Sequence, residues 1–445
     1  MSRRPGPSWH GHRPVAGTVG SAGVKVTRNR VLGLAIGIAI FAAIASQIPL
    51  RDTDIAVYAK AAERVWVEDA DPYPRRPDDV LPFTYPPTAL PLLLPAATLT
   101  APQLADAMRG LNLALTLAVM VLVVGDLGRD DPSKRLLLWG PIYIAAFGGL
   151  YLNLQFGQIN LLLLLLTWGY WRRLRLARQS VGAGVLLTLG CVAKPHYALL
   201  ALGAGPRPGK ALTGGAVIGG GALIALSLWV APSNSWWSWW HQIVATTSVT
   251  ELPPGHSSIA APWNRSIAGT VARFLVPNKF STILADNPTL AARITGIAIL
   301  VVVAITGACV WRSMRRSLNG ASDHHQARGP VDHDRELSLI AIAVFLIAPA
   351  SWTHHLVMLL PAALVLLRDR VLADGVPLSS RLTAALVLAI LALTLDDLMP
   401  RALRTSSLPL MTLMTIAVIA LWLLLAEQLW HRSRRVASTD HTPHD

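Results

Sequence analysis

The chain has 445 residues, of which 53% are hydrophobic and only 14% charged, and its apolar stretches recur to the last residues. That balance excludes a soluble globular domain and describes an integral membrane protein. The net charge of +14 does not point to nucleic acid, because the basic residues fall in short clusters between apolar segments, the bias expected of cytoplasmic loops.

Residues 1–30 are basic and rich in Gly and Pro, and read as a disordered cytoplasmic terminus. The run "VLGLAIGIAIFAAIASQIPL" that follows is too long for the apolar part of a cleaved leader and is expected to stay as a span. Just beyond it, "RDTDIAVY" (51–58) puts Asp52 and Asp54 at a membrane edge. The segment "PPTALPLLLPAATL" (86–99) is short and interrupted by proline, so it is predicted to be re-entrant or interfacial.

Further apolar stretches lie near 106–127, 136–153, 158–171, 180–204, 211–230, 290–311, 337–350, 352–367, 379–395 and 405–428. Basic or mixed clusters at 128–135, 172–178, 206–210, 312–336, 368–375 and 431–435 separate them and mark the cytoplasmic side. Parity then requires 180–204 to fold as a hairpin turning at Lys194 and Pro195, with the lysine toward the outer face. The fold expected is all-α and polytopic, with about 10–12 transmembrane helices in a domain over 31–430, outer loops at 51–86 and 231–289, and a cytoplasmic tail at 431–445. Cys191 and Cys309 both lie in apolar segments, so no disulfide framework is expected.

On this assignment nearly every unusual polar side chain collects on one side: Asp52, Asp54, Asn153, Gln155, Gln158, Asn160, Lys194, His196, Asn264, Arg265, His354 and His355. Ionisable groups at membrane depth are costly and generally line a water-filled cavity or a site. Bland roles compete: solvated loop acids for Asp52 and Asp54, interhelical amide contacts for Gln158 and Asn160, and snorkelling for Lys194. Asp52 and Asp54 form a D-x-D, but no nucleotide-binding fold surrounds the pair, so no metal role is assigned. Adjacent residues on a regular helix point about 100° apart, so one of His354 and His355 is expected to face a site. His324, His325, Asp332, His333 and Asp334 read as a solvated, mobile loop. The cluster "SNSWWSWWHQ" (233–242) suits an interfacial aromatic belt or sugar stacking.

Six pieces in order carry a family resemblance: "DIAVYAKAAERVWVEDADPYP", "FTYPPTALPLLLP", "FGQINLLLLLL", "AKPHYALL", "NRSIAGTVARF" and "APASWTHHLVMLLP". Together they resemble the polyprenol-phosphate-mannose-dependent glycosyltransferases of the GT-C superfamily, in the bacterial branch with the α-1,2-mannosyltransferase that extends phosphatidylinositol mannosides. The resemblance implies a multi-pass plasma-membrane enzyme with an extracytoplasmic site, a polyprenyl-phosphate sugar donor, a glycolipid or lipoglycan acceptor, and no cofactor, metal or nucleic acid. Asp54, in D-x-x-V-Y with Val57 and Tyr58, matches the family's catalytic acid, whereas Asp52 lies out of register. Thr353 stands where an acid is frequent, which leaves the acceptor open.

The reading that follows has Asp54 as general base. Lys194, Arg265, His354, His355 and Arg64 would hold the donor phosphate. Asp52, Tyr58, Tyr85, Gln158, Asn160, Asn264 and Trp352 would contact sugar or acceptor. An arabinofuranosyltransferase using polyprenyl-phosphate arabinose and a glycolipid flippase remain as alternatives; no internal repeat of the transporter kind is visible.

Overall fold

A computed structural model describes residues 28–131, 133–176, 178–206, 208–319, 329–394 and 408–439. His324, His325 and most of the N-terminal segment lie outside them, as does the side chain of Asp52. The described residues are helical, with no strand among them.

In chain order, α1 (Arg28–Ala45) is followed by the amphipathic α2 (Asp52–Trp66). Ile55, Tyr58, Ala61, Ala62 and Val65 form the buried stripe of α2, at the helical spacing that lays one face on the body of the protein. A 3-10 turn (Pro87–Leu93) and α3 (Leu94–Thr98) then fill the proline-rich segment. Pro87, Pro91 and Pro95 keep these pieces short, since proline cannot donate within a ladder. Next come α4 (Ala101–Arg129), α5 (Leu136–Ala145) and α6 (Gly148–Gln155), the last two bent by 46° at their junction. After α7 (Asn160–Arg175) and α8 (Val181–Gly190) the chain breaks, and a 3-10 stretch (Pro195–Ala204) completes the expected turn at Lys194 and Pro195.

Then follow α9 (Lys210–Val230), α10 (Ser235–Trp239), α11 (Ile267–Leu275), α12 (Pro288–Asn319) and α13 (Pro330–Ile347). A 3-10 turn (Thr353–Leu359) leads into α14 (Leu360–Leu366), and α15 (Leu378–Leu393) and α16 (Leu408–Thr439) end the described chain. The last helix runs without a break past residue 431, where the sequence reading places the start of a tail.

Among the described residues five helices are long and apolar enough to cross a membrane: Arg28–Ala45, Ala101–Arg129, Lys210–Val230, Pro288–Arg315 within α12, and Met411–His431 within α16. The bent pair α5 and α6 makes a sixth if it is one span. Only 28% of the most apolar stretch of α12 is buried within the protein. Leu300, Ile297 and Trp229 stand largely exposed, which for such apolar helices calls for lipid around them. The protein is thus an all-α, polytopic membrane protein.

Helices α8 and α9 approach backbone to backbone at Gly184 and Gly215, where an added Cβ would strike Leu212 O and Val181 O respectively. Small residues permit such contact between membrane helices. Gly184→Leu is therefore expected to destabilise the fold by about 1–3 kcal/mol, read as a lower thermal midpoint of detergent-extracted protein.

One expectation fails. Polar residues do not collect at one end only, because a second buried cluster sits at the far ends of the same helices. Asp334 is fully buried and accepts from Trp171 Nε1 at 3.1 Å, while pairing with Arg175 at 2.8 Å and Arg368 at 2.9 Å. Arg368 and Arg335 each pair with Asp369 at 2.7 Å. Asp126 joins Arg172 at 3.0 Å and Trp168 Nε1 at 3.3 Å. The segment with Asp332 and Asp334 is not a solvated loop: Pro330, at the first helical position, starts α13 well before its apolar run begins.

Candidate active site

Helices α7 and α13, with the stretch from Thr353 through α14, run from this ionic cluster to a chamber at their other ends. The 16 residues of α7 alone separate Asn160 from Arg175, roughly 24 Å at 1.5 Å per residue. The chamber has a volume of about 1190 Å³. Its walls come from the start of α2, the segments 81–86 and 252–257, the α6–α7 turn, the break at Lys194 and the start of the 3-10 turn at Thr353.

Asp54 opens onto it from the third position of α2, where the N-terminal end of the helix dipole favours an anion. Its Oδ2 accepts from Gln158 Nε2 at 2.7 Å. Gln158 Oε1 in turn accepts from Tyr58 OH at 3.1 Å and from Tyr85 OH at 3.4 Å. The rings of Tyr58 and Tyr85 stack at 6.0 Å. Burial raises both phenols, Tyr85 to about 12, so they remain neutral hydroxyl donors.

The turn that delivers Gln158 depends on Gly157, at φ +60°. A Cβ there would also stand 2.8 Å from Ile55, the neighbour of Asp54. Burial pushes the Asp54 carboxyl above its ordinary range, opposed by the Gln158 hydrogen bond and the positive charge of Lys194. Removing that hydrogen bond, as in Gln158→Leu, is expected to move the acid limb of the pH–activity profile to higher pH, because the Asp54 carboxylate then protonates more readily.

Lys194 faces the same chamber and is 5% exposed. Its Nζ donates to Asn160 Oδ1 at 2.7 Å. His354 and His355 both line the chamber, their rings 4.5 Å apart and nearly perpendicular, so the expectation of a single facing histidine fails. They sit at the start of a 3-10 turn, where the wall of the cavity wraps the end of the element rather than one side of a regular helix. His355 Nδ1 accepts from the Trp352 backbone N–H at 3.2 Å. A neutral ring then carries its proton on Nε2, a donor suited to an anion. Trp352 stacks on His256, 5.4 Å between centroids and 6° from parallel. Burial holds His256 below the usual imidazole range, which makes the pair a neutral aromatic shelf.

Four residues expected in the site do not line the chamber. Arg64 does not line the chamber: it pairs with Asp79 at 2.5 Å and donates to Pro72 O and Pro74 O. Ten residues along a helix from Asp54 turn a side chain by about 1000°, or some 80° off its face, so Arg64 ties down the loop behind. Asn264 is fully buried and its amide is saturated by Ile259 O, Pro349 O, Ser266 N and Ser351 N. That leaves it nothing for a sugar. Arg265 lies behind the wall, 1% exposed, with Nε donating to Thr353 Oγ1 at 3.0 Å. Asn160 is likewise buried behind Lys194 rather than on the surface of the cavity.

The sequence reading gave no role to Arg51, whose side chain lines the chamber beside Phe156, or to His256. Arg51 directly precedes the acidic pair, a signal that was available; His256 lies in a loop with no local signature. Among the described lining residues Asp54 is the sole carboxylate, facing Arg51, Lys194 and four imidazoles.

A profile of glycosyltransferase family 87 matches residues 83–325, more than half of the chain. The chain belongs to glycosyltransferase family 87. It is 30% identical over 304 residues to a protein of Mycobacterium tuberculosis named polyprenol-phosphate-mannose-dependent alpha-(1-2)-phosphatidylinositol mannoside mannosyltransferase, covering 64% of this chain and 62% of that protein. A Mycolicibacterium smegmatis protein of the same name is 28% identical over 306 residues, covering 64% and 61%. This family 87 chain thus matches less than two thirds of the length of either relative. No solved structure matches it.

Proposed function

We propose that this family 87 protein is a membrane mannosyltransferase that moves mannose from a polyprenyl-phosphate-mannose donor to a glycolipid or lipoglycan acceptor. The observation that carries this reading is the pairing, in one chamber, of Asp54, the one carboxylate among the described lining residues, with the buried amine of Lys194. Group transfer from a lipid monophosphate needs a base on the incoming oxygen and positive charge on the departing phosphate, and little else from the protein.

Asp54 takes the proton of the acceptor hydroxyl as its oxygen bonds to the anomeric carbon. The bond from that carbon to the phosphate oxygen breaks, and polyprenyl phosphate leaves with the electron pair. Lys194, His354 and His355 face the phosphate, with Arg51 at the rim. Gln158, Tyr58 and Tyr85 hold Asp54 in orientation, and the Trp352–His256 shelf offers a flat surface for a sugar. A single in-line displacement on a β-linked donor inverts to an α product, and an α-1,2 linkage accords with the names of the relatives. A two-carboxylate glycosidase mechanism lacks its second acid among the described lining residues.

What supports an extracytoplasmic site in the plasma membrane is the position of the chamber, at the start of α7 and of the stretch leading into α14, opposite the basic residues Arg129, Arg172, Arg173, Arg175, Arg368 and Arg370. The test supplies membranes containing the protein with labelled polyprenyl-phosphate mannose or with the arabinose counterpart. Label from mannose is expected in glycolipid. Label from arabinose alone would reassign the donor, and label from neither would remove the transferase reading.

A further inference from the structure

Behind Lys194 runs a feature that the transfer chemistry alone does not call for. Asn160 Nδ2 donates to Asn153 Oδ1 at 3.0 Å, Asn153 Nδ2 donates to Asn112 Oδ1 at 2.8 Å, and Asn112 Nδ2 donates to Met108 O at 2.9 Å. All three asparagines are fully buried, on α7, α6 and α4. Each amide points its carbonyl toward the lysine and its NH2 away from it. The dipoles add, and their negative end meets the ammonium. Among the described residues Lys194 Nζ has a single hydrogen-bond partner, Asn160, so two of its three N–H groups are left for the chamber.

We propose that Asn112, Asn153 and Asn160 form a positioning relay that anchors the Lys194 side chain without placing a counter-charge on it, so that its charge is presented to the phosphate of a polyprenyl-phosphate ligand. The inference rests on the donor class proposed above. A carboxylate at Asn160 would still accept from the lysine but would cancel its charge, and having no N–H it would also lose the bond to Asn153. An amide orients the ammonium through its dipole and contributes no net charge. Three helices are also fixed relative to one another by the same chain of bonds, which sets the depth at which the ammonium stands.

The relay is tested with two probes on the detergent-solubilised full chain: polyprenyl phosphate and the uncharged polyprenol of equal length, with binding read by tryptophan fluorescence. The wild-type protein is expected to prefer the phosphate. Asn160→Asp should cut that preference about tenfold or more, the scale of a hydrogen bond to a charged group, with helicity by circular dichroism retained. Lys194→Gln should cut it similarly, and Asn160→Asp added to Lys194→Gln should change it little further, since the charge to be cancelled is already gone. Asn153→Leu, which severs the relay but spares the Asn160–Lys194 bond, should raise KM for the donor more than it lowers kcat.

A merely structural role would lower stability and leave the ratio of the two affinities unmoved. Wild-type preference in both Asn160→Asp and Asn153→Leu, with the preference lost in Lys194→Gln, would overturn the relay while leaving the donor reading intact. Absence of any preference in the wild-type protein would overturn the donor reading and the relay with it.

Discussion

Asp54→Asn is expected to lower kcat by about 10²–10⁴-fold, the usual contribution of a positioned general base, while donor binding changes little. The asparagine preserves the size of the side chain and can still bond Gln158, so the geometry of the wall is kept. What is lost is the capacity to take the acceptor proton. Turnover with saturating polyprenyl-phosphate mannose measures the first quantity and donor binding the second. A flippase would respond differently, because moving a lipid through the membrane needs no base; unchanged glycan product in Asp54→Asn would remove the proposed mechanism. Residual activity should also lose the acid limb attributed to the raised carboxyl.

The second large effect is expected far from the chamber. Asp334→Ala leaves Arg175 and Arg368 buried together without their shared carboxylate. Removing one partner from a buried ionic group costs about 3–5 kcal/mol where the remaining charge is left unpaired; here Arg368 keeps Asp369 and Arg175 keeps Asp130, so the lower end of that range is expected. Thermal unfolding of the solubilised protein should show it as a large fall in midpoint. Asp374→Ala, which removes the largely exposed partner of Arg135, should leave the midpoint where it is, since exposed pairs contribute little. An equal response in the two variants would mean that the buried cluster does not hold the helix ends.

These two sites differ in how far the sequence disclosed them. Asp54, Lys194 and the two histidines were legible because each interrupts or abuts an apolar run, where a charge is too costly to be incidental. The break at Lys194 followed from parity and proline. Arg64, Arg265 and Asn264 were misplaced because local spacing says nothing about a partner brought in by the fold: Asp79 for the first, Thr353 for the second, and four backbone groups for the third. The Asp334 cluster was missed for the opposite reason. Basic runs at helix ends read as solvated loops, and nothing in "VDHDRE" says that one acid of the segment is enclosed by arginines from α7 and from the end of α14. Asn112 had no signal at all, since a lone amide in a long apolar helix is ordinary.

Gly157 has a consequence for how the protein would look to genetics. Its left-handed backbone and its contact with Ile55 set the gap between the carboxyl and its amide partner, although the residue carries no group that reacts. A saturation screen scored on product would mark position 157 as intolerant as the acid itself, and a map built from such scores would credit chemistry to a spacer.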